Sequence, residues 1–299
     1  MIVTGLLVPL FALAVNRDLL SASTSDAVER LLVPLLLVAL GGLLLVIGLI
    51  TSAVRALIVR GPLPPERYRG PAVTVLLLLA VIVGAFVSLG AGGTALALFD
   101  GGELSVGGTL VLLTATQIGL LAVTGGLVVA PRALAGFRLA PPSGLLRSML
   151  IGLAIAIPAW VGATLLGAAA AVALEALGFA PELGVLDTVL ERADPTVVLV
   201  AFVVVAPAAE ELFFRGVVYN AWLRERGPRT ALYGSAALFA VIHASIFSLV
   251  PIFALGVALA LLYRRTRSLP AAMAMHAGFN AISVLITLLA RQGILQLPT

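Results

Sequence analysis

The sequence predicts an all-α polytopic membrane protein, and three observations lead to that class. Hydrophobic residues make up 61% of the 299-residue chain and charged residues only 11%, whereas about a quarter of the residues in a soluble domain are charged. The mean hydropathy is +1.18. Apolar runs long enough to cross about 30 Å of hydrocarbon recur along the chain, and about eight or nine transmembrane helices account for them.

Nine apolar runs are candidate transmembrane spans. The first run is short, but it lacks the basic start and the small-residue cleavage site of a signal peptide, so we interpret it as an anchor. The eighth run is also short, which is typical of a tilted or partly shielded helix. In chain order, the runs cover residues 2–15, 31–54, 71–99, 104–130, 148–174, 196–222, 231–249, 251–263 and 269–290.

The charged residues of the loops predict how these spans are oriented. All 18 basic residues are arginine, and 13 of them lie in four alternate loops, whereas ten of the 14 acidic residues lie in the loops between those four. By the positive-inside rule the arginine-rich loops are cytoplasmic, which fits an integral protein of a bacterial cytoplasmic (inner) membrane. The net charge of +4 comes from dispersed arginines, so the predicted partners include membrane lipid and exclude nucleic acid.

Three ionisable residues interrupt the apolar run 196–222, and they are Glu210, Glu211 and Arg215. An ionised group in a lipid-embedded helix is costly unless it is paired, so an intramembrane cluster of this kind predicts a functional site. Glu211 and Arg215 are four residues apart and are predicted to pair on one helical face. That pair leaves Glu210 without a partner in its own segment, in a position suited to taking and returning a proton. The alternative is that all three residues form a buried ion pair that joins two helices.

The chain has two histidines, His243 and His276, and both lie inside apolar runs. Asn280 follows His276 by four residues and therefore shares its helical face. An isolated intramembrane histidine often only joins two helices by a hydrogen bond. These groups, however, lie at similar depths along their spans when the rise of about 1.5 Å per residue is counted from the cytoplasmic end. We therefore predict that they meet Glu210 around one water-containing pocket.

Two kinds of hydrolytic chemistry fit this set of side chains. A carboxylate and an imidazole can polarise a water molecule, while a second imidazole and a carboxamide donate hydrogen bonds to a developing oxyanion. Alternatively, Glu210, His243 and His276 hold a divalent metal such as zinc, with water in the fourth position. Residue types do not separate these two mechanisms. The sequence contains no His-Glu-x-x-His motif and no cysteine for a thiolate site.

Three motifs on successive predicted spans resemble those of one family of intramembrane peptidases. The motifs read Glu210-Glu211-x-x-x-Arg215, Phe239-x-x-x-His243 and His276-x-x-x-Asn280. They are similar to the motifs of the CAAX-protease and bacteriocin-processing (CPBP) family, which includes the Rce1-like prenyl endopeptidases (CAAX prenyl protease 2) and bacterial Abi-type members. The resemblance implies a peptidase domain in residues 146–299, and it leaves residues 1–145 as N-terminal helices of unassigned role.

The resemblance also implies a role for each motif residue. Glu210 is then the general base that activates water, with assistance from His243. His276 and Asn280 form the oxyanion site, and Glu211 with Arg215 supports it. The implied partner is a peptide or protein substrate at the membrane, lipidated in the prenyl-protein branch of the family.

Two other functions fit the same sequence. A catalytically silent scaffold or immunity protein keeps the fold and binds partners, so its phenotype survives the loss of Glu210. A proton-coupled transporter uses Glu210 and the histidines as a proton relay, but the sequence shows no internal repeat of the kind that many transporters have. Cleavage that depends on Glu210 and His243 distinguishes a peptidase from both alternatives.

Overall fold

The computed structural model describes the C-terminal half of the chain nearly completely and the N-terminal half in short pieces. The described residues are 72–77, 79–80, 99–100, 103–104, 114, 117–121, 124, 144–180, 190, 195–243 and 245–295. The predicted spans 2–15 and 31–54 lie outside these residues, as does most of the spans 71–99 and 104–130.

Helices account for nearly all of the described residues. The elements in chain order are β1 (Phe99–Asp100), β2 (Glu103–Leu104), α1 (Leu145–Ala176), α2 (Pro195–Leu199), π1 (Val200–Val205), α3 (Ala206–Glu211), π2 (Leu212–Tyr219), α4 (Asn220–Arg226), α5 (Pro228–Val241), α6 (Ile246–Thr266) and α7 (Leu269–Arg291). The two short strands form an antiparallel pair in the connection between two predicted spans. Residues 73–77 and 79–80 are also helical.

Four helical stretches in the described part are long and apolar enough to cross a membrane. They are Leu145–Ala176, Pro195–Arg226, Ile246–Thr266 and Leu269–Arg291. Each of them contains one of the predicted spans, namely 148–174, 196–222, 251–263 and 269–290. The predicted class, an all-α integral membrane protein, is confirmed.

The boundary between the seventh and eighth predicted spans is wrong. Helix α5 ends at Val241 and α6 begins at Ile246, so the boundary lies between these two residues. With 14 residues, α5 is about 21 Å long and too short to cross the bilayer alone. Ser245 caps α6 by accepting a hydrogen bond from the Ser248 N–H. The hydropathy of the sequence does not change here, so it gave no sign of the boundary. His243 therefore lies beyond the end of α5 and not within a span.

The two adjacent glutamates lie on one long helix, Pro195–Arg226, which we call the carboxylate helix. Two of its five segments, π1 and π2, have the wider i→i+5 hydrogen-bond pattern of a π-helix. The short segment α3, which ends at Glu210 and Glu211, lies between them. Because a π-segment changes the register of the residues that follow it, π1 determines which side of the helix α3 presents to its neighbours.

Helix α7 packs alongside α1, and the two helices run in the same direction. Gly152 on α1 lies against the backbone of Ala271. Further along both helices in the same direction, Trp160 Nε1 donates to Ser283 Oγ at 3.0 Å. Helix α7, which carries His276, also contacts α3, which carries the two carboxylates. Because α1 packs closely on α7, it helps to hold α7 against α3.

Replacing Gly152 with alanine should destabilise the protein, because an added Cβ would overlap the backbone oxygen of Ala271. Overpacking of this kind costs about 1–3 kcal/mol. The effect is measured as thermal unfolding of the purified protein in detergent. Gly162→Ala on the same helix is the matched control, since its added Cβ would meet no atom within 4 Å. Equal unfolding temperatures for the two variants would contradict the close packing of α1 on α7.

One hydrophobic core includes both the carboxylate helix and a piece of the N-terminal part. Val73 and Leu76 are buried in the same cluster as Phe213. The backbone N–H of Val73 also donates to Glu225 Oε1, near the end of the carboxylate helix (3.1 Å). The division of the chain into residues 1–145 and 146–299 stays a prediction, and these contacts cross it.

Candidate functional site

Glu210 and Glu211 occupy the last turn of α3 and are both buried. Glu211 is fully buried, and Glu210 exposes 7% of its surface. Adjacent residues differ by about 100° around a helix, so the two carboxylates meet different neighbours. A buried carboxylate is stable only when other groups donate to it or neutralise it. The partners of each one therefore define the site.

The ion pair between Glu211 and Arg215 that the four-residue spacing predicts is present. Arg215 Nη1 donates to Glu211 Oε1 at 2.7 Å, and neither side chain is exposed. The other terminal nitrogen, Nη2, donates to the backbone oxygen of Gly256 on α6 (3.0 Å). The guanidinium carbon lies 4.6 Å from the centre of the Phe239 ring, which is a cation–π contact with α5. Arg215 therefore joins the carboxylate helix to both α5 and α6.

His276 on α7 lies against both carboxylates. Its Nδ1 is 3.0 Å from Glu211 Oε1, and its Nε2 is 3.9 Å from Glu210 Oε2. An ionised carboxylate only accepts, so Nδ1–H is the donor to Glu211. Nε2 then faces Glu210 at a distance that is too long for a direct hydrogen bond. A water molecule can bridge the two groups. His276 is therefore the imidazole that links the two acidic groups.

His243, in the turn after α5, is held by Phe239. Its Nδ1 is 2.7 Å from the Phe239 backbone oxygen. A carbonyl oxygen only accepts, so Nδ1–H donates and Nε2 of the neutral ring is an acceptor. The Phe239 ring contacts both imidazoles, with centre-to-centre distances of 4.9 Å to His243 and 5.6 Å to His276. His243 lies within electrostatic range of Glu210, although no hydrogen bond joins these two described residues.

Asn280 lies one turn beyond His276 on α7 and reaches the carboxylate helix at a different point. Its Nδ2 donates to the backbone oxygen of Phe202 in π1 at 2.7 Å. The predicted shared face of His276 and Asn280 is thus present, and both side chains point toward the carboxylate helix. One of the two N–H groups of the Asn280 amide is already used by this bond.

Asn220 is a polar residue near the site that the sequence motifs do not include. Its Nδ2 lies 2.9 Å from Arg215 O, 2.8 Å from Gly216 O and 2.9 Å from the Tyr263 hydroxyl. Its own backbone N–H donates to Val217 O, so the side-chain amide supplies a donor that the wide turn of π2 does not. Asn220 therefore stabilises the π-helical segment that carries Arg215. Hydropathy does not identify Asn220 as important. The signal in the sequence is its position four residues after Gly216.

The predicted metal ligands do not form a metal site in the described part of the chain. No three histidine, cysteine, aspartate or glutamate side chains among the described residues are grouped closely enough to hold an ion. Within the predicted set, His276 Nε2 lies 3.9 Å from Glu210 Oε2, and His243 donates its Nδ1–H to the Phe239 oxygen, which leaves its Nε2 as an acceptor. As arranged among the described residues, Glu210, His243 and His276 are not grouped as the ligands of one ion.

The comparison with known proteins concerns the same region. Residues 192–282 match the model of the Rce1-like family, described as type II CAAX prenyl endopeptidase Rce1-like. No curated protein and no solved structure matches the chain. The matched range includes the whole carboxylate helix and extends through α5 and α6 into α7. It also contains every residue of the three sequence motifs.

Proposed function

We propose that the chain, whose residues 192–282 match the Rce1-like family of type II CAAX prenyl endopeptidases, is an intramembrane endopeptidase. It hydrolyses a peptide bond in a membrane-associated peptide or protein, in a bacterial Abi-type setting with the arginine-rich loops on the cytoplasmic side. The observation that carries the proposal is the position of His276 between Glu210 and Glu211. A structural ion pair of Glu211 with Arg215 needs neither a second carboxylate nor an imidazole.

The charges of this cluster favour one exchangeable proton. With Glu210 and Glu211 ionised and Arg215 protonated, the buried cluster carries one net negative charge. A proton held by His276 neutralises it, and buried charges are stable only when they are compensated. Groups that hold and release a proton at such a place are what acid–base catalysis requires.

In the first step, Glu210 accepts a proton from a water molecule, and the water oxygen attacks the carbonyl carbon of the scissile bond. His243 Nε2 accepts a hydrogen bond from the O–H that the same water keeps, because its Nδ1–H is held by the Phe239 oxygen. The carbonyl oxygen becomes an oxyanion in a tetrahedral intermediate. Nε2–H of protonated His276 and the second N–H of Asn280 donate to it, as an oxyanion site requires.

In the second step, the C–N bond breaks, and the leaving amine takes the proton that Glu210 received. Glu211 accepts the Nδ1–H of His276 throughout, so the orientation of the ring stays fixed. Arg215 holds Glu211 in place through Nη1. The carboxylic acid and amine products leave, and Glu210 is again ionised for the next water.

A reconstitution assay tests the proposal. The purified protein in liposomes receives a membrane-anchored reporter peptide in a prenylated and in an unlipidated form, and mass spectrometry identifies the new termini. We expect cleavage at one defined bond. Cleavage of the prenylated form alone assigns a lipidated substrate, and cleavage of both assigns a general membrane peptide. A folded protein that cleaves neither form would favour the non-catalytic scaffold.

Removal of divalent metal ions should leave cleavage unchanged, because Glu210, His243 and His276 are not grouped as ligands in the described structure. The measurement is elemental analysis of the purified protein together with activity after treatment with a chelator. One equivalent of bound metal, with a loss of activity that added zinc reverses, would instead assign these three residues as ligands.

A further inference from the structure

The backbone oxygen of Phe202 is the point at which Asn280 attaches α7 to π1. In the i→i+5 pattern of π1, the Ala206 N–H donates to Ala201 O. The next donor in that pattern belongs to residue 207 and would reach Phe202 O, but Pro207 has no N–H. Phe202 O is therefore left without a partner in its own helix, and Asn280 Nδ2 donates to it at 2.7 Å.

The bond to Phe202 restricts the second N–H of the Asn280 amide. A primary amide carries two N–H groups in one plane, so fixing the direction of one fixes the direction of the other. Asn280 lies on α7 one turn beyond His276, on the face that meets the carboxylate helix. The second N–H is the one that the proposed reaction assigns to the oxyanion.

We propose that Pro207 is a positioning residue of the peptidase. Because Pro207 supplies no N–H, no donor of its own helix competes with Asn280 for the Phe202 oxygen. The bond from Asn280 to this oxygen then orients the second N–H of the amide toward the oxyanion. This inference rests on the proposed function. It explains why a proline lies inside the carboxylate helix only three residues before Glu210. A proline that only bends the helix would act independently of Asn280.

Pro207→Ala tests the proposal, because alanine supplies the missing N–H to Phe202 O and removes a helix-breaking residue. The variant should therefore unfold at the same temperature as the wild type or higher. Loss of one oxyanion donor lowers kcat about 10²–10³-fold, so we expect Asn280→Ala to fall in that range and Pro207→Ala to lose at least about 10-fold, with KM nearly unchanged. Pro158→Ala, at an exposed proline inside α1, is the matched control and should retain kcat.

The double variant of Pro207→Ala with Asn280→Ala shows whether the two residues act together. If Pro207 acts through Asn280, the double variant has the same kcat as Asn280→Ala alone. A fully active Pro207→Ala variant, or losses that multiply in the double variant, would overturn the positioning role. The wild-type protein in the same assay separates the two proposals. If it cleaves nothing, both fail, whereas an active wild type with an equally active Pro207→Ala variant overturns the positioning role alone.

Discussion

Replacing Glu210 with glutamine is expected to lower kcat about 10²–10⁴-fold while the protein stays folded. Glutamine keeps the size of the side chain, but it cannot take a proton from water. The fold should tolerate the change, because the buried ion pair is made by Glu211 and Arg215, and the nearest polar atom of His276 lies 3.9 Å from Glu210 Oε2. The reporter-peptide assay measures the loss, and thermal unfolding verifies that the fold is retained.

Glu175→Gln is the matched control for this experiment. Glu175 is an exposed carboxylate at the end of α1, outside the site, so its replacement should change neither kcat nor the unfolding temperature. A Glu210→Gln variant that cleaves as fast as Glu175→Gln would remove Glu210 as the general base. If a cellular phenotype of the protein survived in the Glu210→Gln variant, the scaffold function would be favoured instead.

Replacing Arg215 with leucine is expected to have the largest effect on stability. The change leaves Glu211 buried without its counter-charge, and breaking a buried ion pair in this way costs about 3–5 kcal/mol. It also removes the donor to the Gly256 oxygen and the cation–π contact with Phe239. The measurement is unfolding in detergent, together with the yield of monodisperse protein.

A second substitution distinguishes the stability lost through the unpaired Glu211 carboxylate from the stability lost with the other contacts of Arg215. Adding Glu211→Gln to Arg215→Leu removes the unpaired carboxylate, so the double variant should recover much of the lost stability. It should remain inactive, because His276 then lacks the carboxylate that orients it. Arg226→Leu, at an exposed position near the end of the same helix, is the matched control. An Arg215→Leu variant as stable as Arg226→Leu would contradict the role given to the buried pair.

Hydropathy and spacing predicted the parts of this structure that depend on local sequence. The helices that begin at Leu145, Pro195 and Leu269 contain the predicted spans because an apolar run long enough to cross the bilayer has few alternatives to a helix. The pair of Glu211 and Arg215 followed from helical geometry, since side chains four residues apart are neighbours on any α-helix.

The features that the sequence did not predict depend on contacts between distant segments. Apart from its charged residues, the run from Pro195 to Arg226 is mostly apolar, so nothing in its hydropathy marks π1 or π2. The boundary between α5 and α6 is hard to predict, because the residues around it are as apolar as the helices. The cap at Ser245 is a weak signal for it in the sequence. The proximity of His276 to Glu210 was expected from their similar depths, but its hydrogen bond to Glu211 was not, because that bond depends on how α7 packs against α3.

The burial of Val73 and Leu76 in one cluster with Phe213 means that the segment that matches the Rce1-like family does not complete its own interior. A chain cut before residue 144 would leave Glu225 without the N–H of Val73, and it would delete Val73 and Leu76 from the cluster that includes Phe213. Those two residues carry none of the family motifs. Sequence changes near Val73 can therefore destabilise the helices that carry the candidate site without changing any of its polar side chains.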